Sequence, residues 1–401
     1  MTLADAWRDD PLAFLVGERA SRDFLETVYE RKALVASAPA IGLPRERFDG
    51  VVSIADIDRI VTGTDLKTGD LLLADASVEG GIAESDYIDD QGYVDRGAVA
   101  MQYRQGATLI LNQAQRIVPA LGRLCQGIEH VFSCHAQTNL YLTPAGAQGF
   151  PTHFDNHDVF VIQAEGEKLW RLYDVPVDTP YRGEQFVRQV HAKGELRAEF
   201  VLKAGDVAYV PRGMMHDAET SGDAPSLHVT VGLISRTWAD LVLEAVAEVA
   251  LRHPGFRRSL PAGYAREGFD RTAARATLAE LGTLLATEMQ LDPAMDLVAD
   301  TFVRTRAATN AGAITGSGRT IGTDEAFRLD PLVPWRIARE EGPDGRTCLT
   351  VPGGDLWFTA ESEAALKRAL SGEPFTLDTL AFEHGEALIR RMLAYGLIAS
   401  C

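Results

Sequence analysis

His153, Phe154 and Asp155, with His216 a further 61 residues beyond Asp155, carry the chemistry legible in this chain. Two imidazoles and one carboxylate are the protein ligands of a facial-triad non-haem Fe(II) site, which leaves neighbouring coordination positions open for a co-substrate and oxygen. The spacing has a mechanical meaning. In a strand, residues i and i+2 point to the same face, so His153 and Asp155 can reach one metal. His216 ends a run from Asp206 to Met215 that is β-rich, stops at Pro211 and turns at Gly213. That layout brings the third ligand back from a distant strand.

The elements that must position these groups are β-strands. From about 131 to 234, apolar and β-branched runs recur at Asn139–Leu142, Val159–Ala164, Leu169–Tyr173, Phe200–Leu202, Val207–Val210 and Leu227–Leu233. Turn residues at Pro144–Gly146, Glu165–Gly166, Ala204–Gly205 and Ser221–Asp223 separate them. Many short strands with such punctuation predict a sandwich or barrel. Metal ligands arriving from its interior fit a double-stranded β-helix.

Around this core, residues 1 to about 65 read as short helices and turns, with a capping box at Ser53–Asp56 opening a helix at Ile57–Val61. The stretch 68–105 reads as extended or looped, and Ala107–Leu111 as a compact strand. Arg116–Cys125 reads as a helix, with Pro119 tolerable only near its start. After Arg236 helical periodicity takes over at Thr237–His253, Asp270–Glu288 and Pro293–Ala308. Asn310–Gly318 reads as a linker. Residues 321–401 then suit a winged-helix-like α+β unit with 13 acidic against 8 basic residues, too acidic for a DNA reader. The expected division is 1–236 for the catalytic part, 237–318 for a helical region with linker, and 319–401 for the winged-helix-like unit.

The bulk numbers bound the function. A chain of 401 residues, 46% hydrophobic and 24% charged, has the make-up of an ordinary globular protein with room for two or three domains. A net charge of −18 argues against nucleic acid as a direct partner and is compatible with basic peptides or proteins. No stretch has the length of a bilayer span, and Met1–Asp10 lacks the pattern of a signal peptide. Cys125, Cys134, Cys348 and Cys401 contain no C-x-x-C pair and suit a reducing compartment. A cytoplasmic location is the expectation.

Taken together, Pro151–Gln163, Glu165–Tyr173, Gly205–His216 and Ser226–Val231 resemble the JmjC-type cupin oxygenases, specifically their ribosomal oxygenase branch. The order of a cupin region, a helical dimerisation segment and a C-terminal winged helix resembles that branch as well. The resemblance implies Fe(II) held by His153, Asp155 and His216, with 2-oxoglutarate as co-substrate and O2 as oxidant. It implies that Lys168, after the tight turn at Glu165–Gly166, meets the C5 carboxylate, since a buried ammonium needs an anionic partner. Asn139 and Tyr141 share one strand face, and the family uses this Asn-x-Tyr pair around the co-substrate. Where the family often carries a hydroxyl near the C5 carboxylate, this chain has Gly232, and Thr230 on the same face, or a water, is the expected substitute. His228 is expected as a supporting or core histidine, and His157 as turned away from the metal.

The resemblance implies hydroxylation of a His or Arg side chain in a basic ribosomal protein, by a homodimer. Two other readings stand beside it. The same iron chemistry can tailor a biosynthetic peptide or small metabolite, and a non-catalytic cupin can serve as a scaffold or metal sensor.

Overall fold

The computed structural model describes residues 7–308, 313–337 and 346–401. The chain divides into two compact units, Met1–Ser235 and Arg236–Cys401.

The first unit is built on two antiparallel sheets. Its strands are β1 (Leu34–Ala36), β2 (Leu71–Ala74), β3 (Thr108–Leu111), β4 (His135–Thr143), β5 (Asp158–Glu165), β6 (Glu167–Tyr173), β7 (Leu196–Lys203), β8 (Val207–Val210), β9 (His216–Thr220) and β10 (Ser226–Ile234). The larger sheet has the order β1-β8-β5-β10-β4-β3-β2, and the smaller one β7-β6-β9. β5, an interior strand of the large sheet, is buried along most of its length. That explains its near-continuous apolar sequence. β4 alternates instead: Ala136, Thr138, Leu140 and Leu142 are buried, while Asn139 and Tyr141 are half-buried. Between the sheets Val159, Val161 and Ala208 pack against Trp170 and Leu202.

Two features depart from the strand expectations. His153 and Asp155 lie on an extended loop before β5 and not within a strand, with only His153 pairing, through an isolated bridge to His216. β9 itself, His-Asp-Ala-Glu-Thr, has no apolar alternation to announce it. It exists because β6 supplies the pairing partner, with Trp170 opposite Ala218 and Leu172 opposite His216. The helix expected at Arg116–Cys125 runs from Pro119 to Phe132. Pro119 occupies its first position, where the missing N–H costs nothing. The capping box joins Ser53 and Asp56 in both directions at the start of the helix Ile54–Gly63.

A buried polar knot ties the N-terminal segment to the start of β5 and the turn after β8. The Tyr209 hydroxyl donates to Asp158 Oδ1 at 2.6 Å and accepts from the Glu30 amide at 2.8 Å. Arg212 closes it with ion pairs to Glu30 at 2.7 Å and Asp158 at 3.4 Å.

The second unit contains helices Trp238–Arg252, Thr272–Glu288 and Leu291–Arg304. Beyond them, Thr347–Val351 and Gly354–Phe358 form a hairpin, and Phe327–Leu329 pairs with Ile398–Ser400. Helices Glu363–Ala369 and Gly385–Ala394 share a core with these strands that includes Phe327, Leu349, Leu366, Phe375 and Ile389. Of the expected linker at 310–318, residues 310–312 lie outside the described residues and 313–318 are mainly turns.

The Tyr209→Phe substitution leaves the Asp158 carboxylate one donor short and the Glu30 amide without its acceptor. Its expected cost is about 1–3 kcal/mol, read as a lower urea midpoint at unchanged slope. A midpoint equal to that of the wild type would show that the knot contributes nothing.

Candidate active site

The three metal-ligand candidates converge. His153 Nε2 lies 3.9 Å from Asp155 Oδ1, and His216 Nε2 lies 3.8 Å from Asp155 Oδ2. One donor atom from each residue falls within 4.8 Å of the others. The backbone forces this arrangement. His153 N–H donates to the His216 carbonyl at 3.0 Å, and His216 N–H returns a bond to the His153 carbonyl at 2.7 Å. Asp155 is tied to the same turn, because its carbonyl accepts from the Gly213 amide at 2.9 Å. Gly213 adopts φ +84°, and a Cβ there would sit 2.1 Å from the Val177 carbonyl oxygen. Glycine is required at that turn.

Tautomer and charge suit a dication. His153 Nδ1 lies 3.0 Å from the Pro151 carbonyl oxygen, and His216 Nδ1 lies 3.0 Å from that of Met214. A carbonyl can only accept, so each Nδ1 carries the proton and each Nε2 lone pair is left for a metal. Burial, followed by the neighbouring His153, pushes the His216 imidazole down to about 4. Burial opposes ionisation of Asp155, but the His216, His157 and His153 rings together hold its carboxyl below the usual value.

Below the triad the space between the sheets is lined by Thr108, Tyr141, Phe150, Val159, Val161, Lys168, Trp170, His228 and Thr230. Lys168 is buried at 3% exposure. From β6 its Nζ crosses the interior to donate to Thr143 Oγ1 of β4 at 2.9 Å, and it lies 3.4 Å from His228 Nδ1 of β10. No carboxylate among the described residues pairs with it, and burial drives the ammonium down to about 7. The Trp170 ring lies 5.9 Å from His216 and 5.6 Å from His228, joining the two ends of the space. Its Nε1 is buried and has no partner among the described residues.

The β4–β10 register places Asn139 opposite Thr230 and Tyr141 opposite His228. Asn139 Oδ1 accepts from the Gln113 amide at 3.0 Å. Burial, and then the charge of Asp155, push the Tyr141 phenol up to about 12, so it stays a neutral donor. Thr230 faces the Asn139 carbonyl at 3.5 Å.

The hydroxyl touching Lys168 belongs to Thr143, backed by Thr108 at 3.1 Å. The physical reason is register: Thr143 lies opposite Ser226 at the far end of β10, while Thr230 lies opposite Asn139. Gly232 is also remote from this role. A Cβ there would come within 2.6 Å of the His157 ring, so Gly232 makes room for His157, which lies outside the three-residue cluster. Thr143 and Thr108 were missed because nothing in sequence marks a threonine at a strand end as facing a lysine of another sheet.

Residues 110–241 match the JmjC domain profile. The chain carries a JmjC domain. Its two-sheet core is therefore the antiparallel JmjC, cupin-like fold. Over 188 residues the chain is 36% identical to the bifunctional lysine-specific demethylase and histidyl-hydroxylase NO66 of Dictyostelium discoideum, covering 44% of this chain and 36% of that protein. Over 241 residues it is 35% identical to ribosomal oxygenase 2 of Bos taurus, covering 56% of this chain and 50% of that protein. The chain thus spans half or less of these relatives' lengths. A solved structure of YcfD, a ribosomal oxygenase from Escherichia coli in complex with cobalt and 2-oxoglutarate, aligns with a TM-score of 0.53 at 13% identity, covering 94% of this chain and 97% of that one. That likeness is one of fold. The JmjC domain contains all three ligand candidates, Lys168, the Asn139–Tyr141 pair, Thr143 and His228.

Asp155→Asn keeps the shape of the cluster but removes its anionic ligand. Its affinity for Mn(II) or Co(II) is expected to fall by more than the roughly 10–100-fold that loss of an outer partner costs, with the unfolding midpoint little changed. Calorimetric titration giving wild-type affinity would remove Asp155 from the ligand set.

Proposed function

We propose that this chain is an Fe(II)- and 2-oxoglutarate-dependent oxygenase that hydroxylates a side chain of a protein or peptide, His or Arg of a basic ribosomal protein being the target class. The observation that carries the reading is the pairing, in one interior, of a two-His, one-carboxylate cluster with a buried lysine that has no carboxylate partner. Two imidazoles whose Nδ1 atoms face carbonyl oxygens, together with one carboxylate, fit Fe(II) and would leave further coordination positions open. The unpaired Lys168 ammonium fits the far carboxylate of a dicarboxylate. Trp170 Nε1, a buried donor without a partner, adds to the case for a polar ligand between them. The relatives' names and the YcfD complex with cobalt and 2-oxoglutarate support the same assignment.

The bound iron and 2-oxoglutarate would supply oxygen activation and oxidative decarboxylation, which no side chain here provides. The protein's part is placement. His153, Asp155 and His216 hold the metal on one side, while Lys168 and Thr143 anchor the co-substrate's far end. Asn139, Tyr141 and Thr230 form the wall between. Val159, Val161 and Trp170 exclude water from the interior, which limits wasteful oxidation. No general base is needed.

The remaining assignments belong to the same proposal. Exposed apolar side chains on the helical region, among them Trp238 at 74%, Leu251 at 78% and Leu278 at 72% exposure, support a homodimer formed there. We assign residues 319–401 as the winged-helix-like unit, acidic enough to favour a structural or protein-contact role, and 237–318 as the dimerisation segment. None of the four cysteines is in a disulfide, which is compatible with a reducing, cytoplasmic location; no described helix is long and apolar enough to cross a membrane.

The deciding experiment measures Fe(II)-dependent conversion of 2-oxoglutarate to succinate, with and without basic ribosomal proteins, against His216→Ala. Stimulated turnover and a peptide heavier by one oxygen atom are expected. Turnover without stimulation would move the substrate to another peptide or metabolite, and no succinate above the variant would overturn the co-substrate assignment. Light scattering on the eluting protein at micromolar concentration is expected to give twice the chain mass. A monomer would remove the dimer.

A further inference from the structure

His228 has no role yet. It is buried at 3% exposure, and its ring is held on two sides. Tyr141 lies parallel to it at 4.6 Å and 5°, and Trp170 meets it edge-on at 5.6 Å and 81°. These contacts fix the ring so that Nδ1 faces Lys168 Nζ at 3.4 Å. An ammonium offers only N–H donors. Whenever Lys168 is charged, the nitrogen facing it presents a lone pair, which places the imidazole proton on Nε2. Burial, then the Lys168 charge, hold His228 well below its ordinary value, so the ring is neutral. A protonated ring beside the ammonium would put two cations together in a dry interior.

The other groups about Lys168 are uncharged. Thr143 of β4 accepts from Nζ, Thr108 of β3 stands behind Thr143, and Thr220 of β9 lies opposite Lys168 in the strand register. Thr143 and His228 thus account for two of the three N–H bonds of the ammonium. The third has no acceptor among the described residues.

Resting on the 2-oxoglutarate reading above, we propose that His228 is a positioning residue for the co-substrate. As a neutral acceptor it works with Thr143 to steer the remaining N–H of Lys168 into the cavity, so that the far carboxylate meets a charge already aimed. Tyr141 and Trp170 keep the imidazole in place, and Trp170 links it to the His216 end.

The arrangement has a pH signature. Without an anion, burial brings the Lys168 ammonium to about 7. A bound carboxylate favours the charged form and raises it again. Above that value the dicarboxylate must bring a proton with it, so affinity falls as pH rises, by up to about tenfold per pH unit. Below it the ammonium is already charged and affinity levels off.

The test is calorimetric titration of the Mn(II)-loaded full chain with 2-oxoglutarate on both sides of neutrality, alongside Mn(II) titration of the same proteins. In the wild type, affinity is expected to drop on the alkaline side with proton uptake. His228→Leu, which lacks the acceptor, is expected to weaken 2-oxoglutarate by about tenfold, the order of one hydrogen bond to a charged group, while Mn(II) affinity stays unchanged. His228→Asn, whose carbonyl can take the place of Nδ1, is expected to recover most of the loss. Wild-type binding by His228→Leu, or equal losses in both variants, would overturn the positioning role. If His228→Leu does not fold, His228→Asn decides: near-wild-type affinity supports the proposal, and a loss of about tenfold or more overturns it. A wild type that holds Mn(II) but not 2-oxoglutarate would instead defeat the co-substrate reading, and this inference with it.

Discussion

Two backbone hydrogen bonds between His153 and His216 are the constraint on which the site depends. They are reciprocal, as in any antiparallel pair, at 3.0 and 2.7 Å. Side chains of directly opposed residues project to the same side of such a pair. The bridge therefore turns two histidines distant in sequence into neighbours whose ring centroids lie 4.6 Å apart. The Gly213 amide then fixes Asp155 against them. Because His153 sits on a loop and not within a strand, these few bonds carry the precision that a longer ladder would otherwise supply.

The second organising constraint is the burial of a positive charge without a protein anion. Lys168 crosses from the smaller sheet to two strands of the larger one, and its partners there are neutral. Such a group is unfavourable in the empty protein and becomes favourable when an anion enters. The interior is therefore polarised. Asp155, held ionised, marks one end and the lysine Lys168 the other, and Trp170 lies between the two histidines that mark those ends. Val159 and Val161 pack against Trp170 beside this axis.

Parts of this were legible in the chain. The Gly213 turn, the Glu165–Gly166 turn before Lys168 and the apolar runs of β5, β8 and β10 all follow from local chemistry. At Gly166 the reason is visible: φ is +67°, and a Cβ would come within 2.4 Å of the Pro225 carbonyl oxygen. β9 was not legible, since a five-residue strand with two acids gains its identity only from β6. Nor was the hydroxyl at Lys168. Thr230 and Thr143 are both threonines on inward faces of neighbouring strands, and only register tells which one reaches the lysine.

By itself the sequence determined which residue types exist to do chemistry: two histidines and an aspartate at ligand spacing, and one lysine after a glycine turn. It determined the alternation that lays Asn139 and Tyr141 on one face, because side-chain direction along a strand is a local property of the backbone. Only the tertiary structure decided who meets whom. It set His228 against Tyr141, Thr143 against Lys168, and His157 in the space that Gly232 leaves open. Those contacts depend on strand register and on which strands of two sheets face each other, and long-range pairing of this kind is not written in any local run of residues.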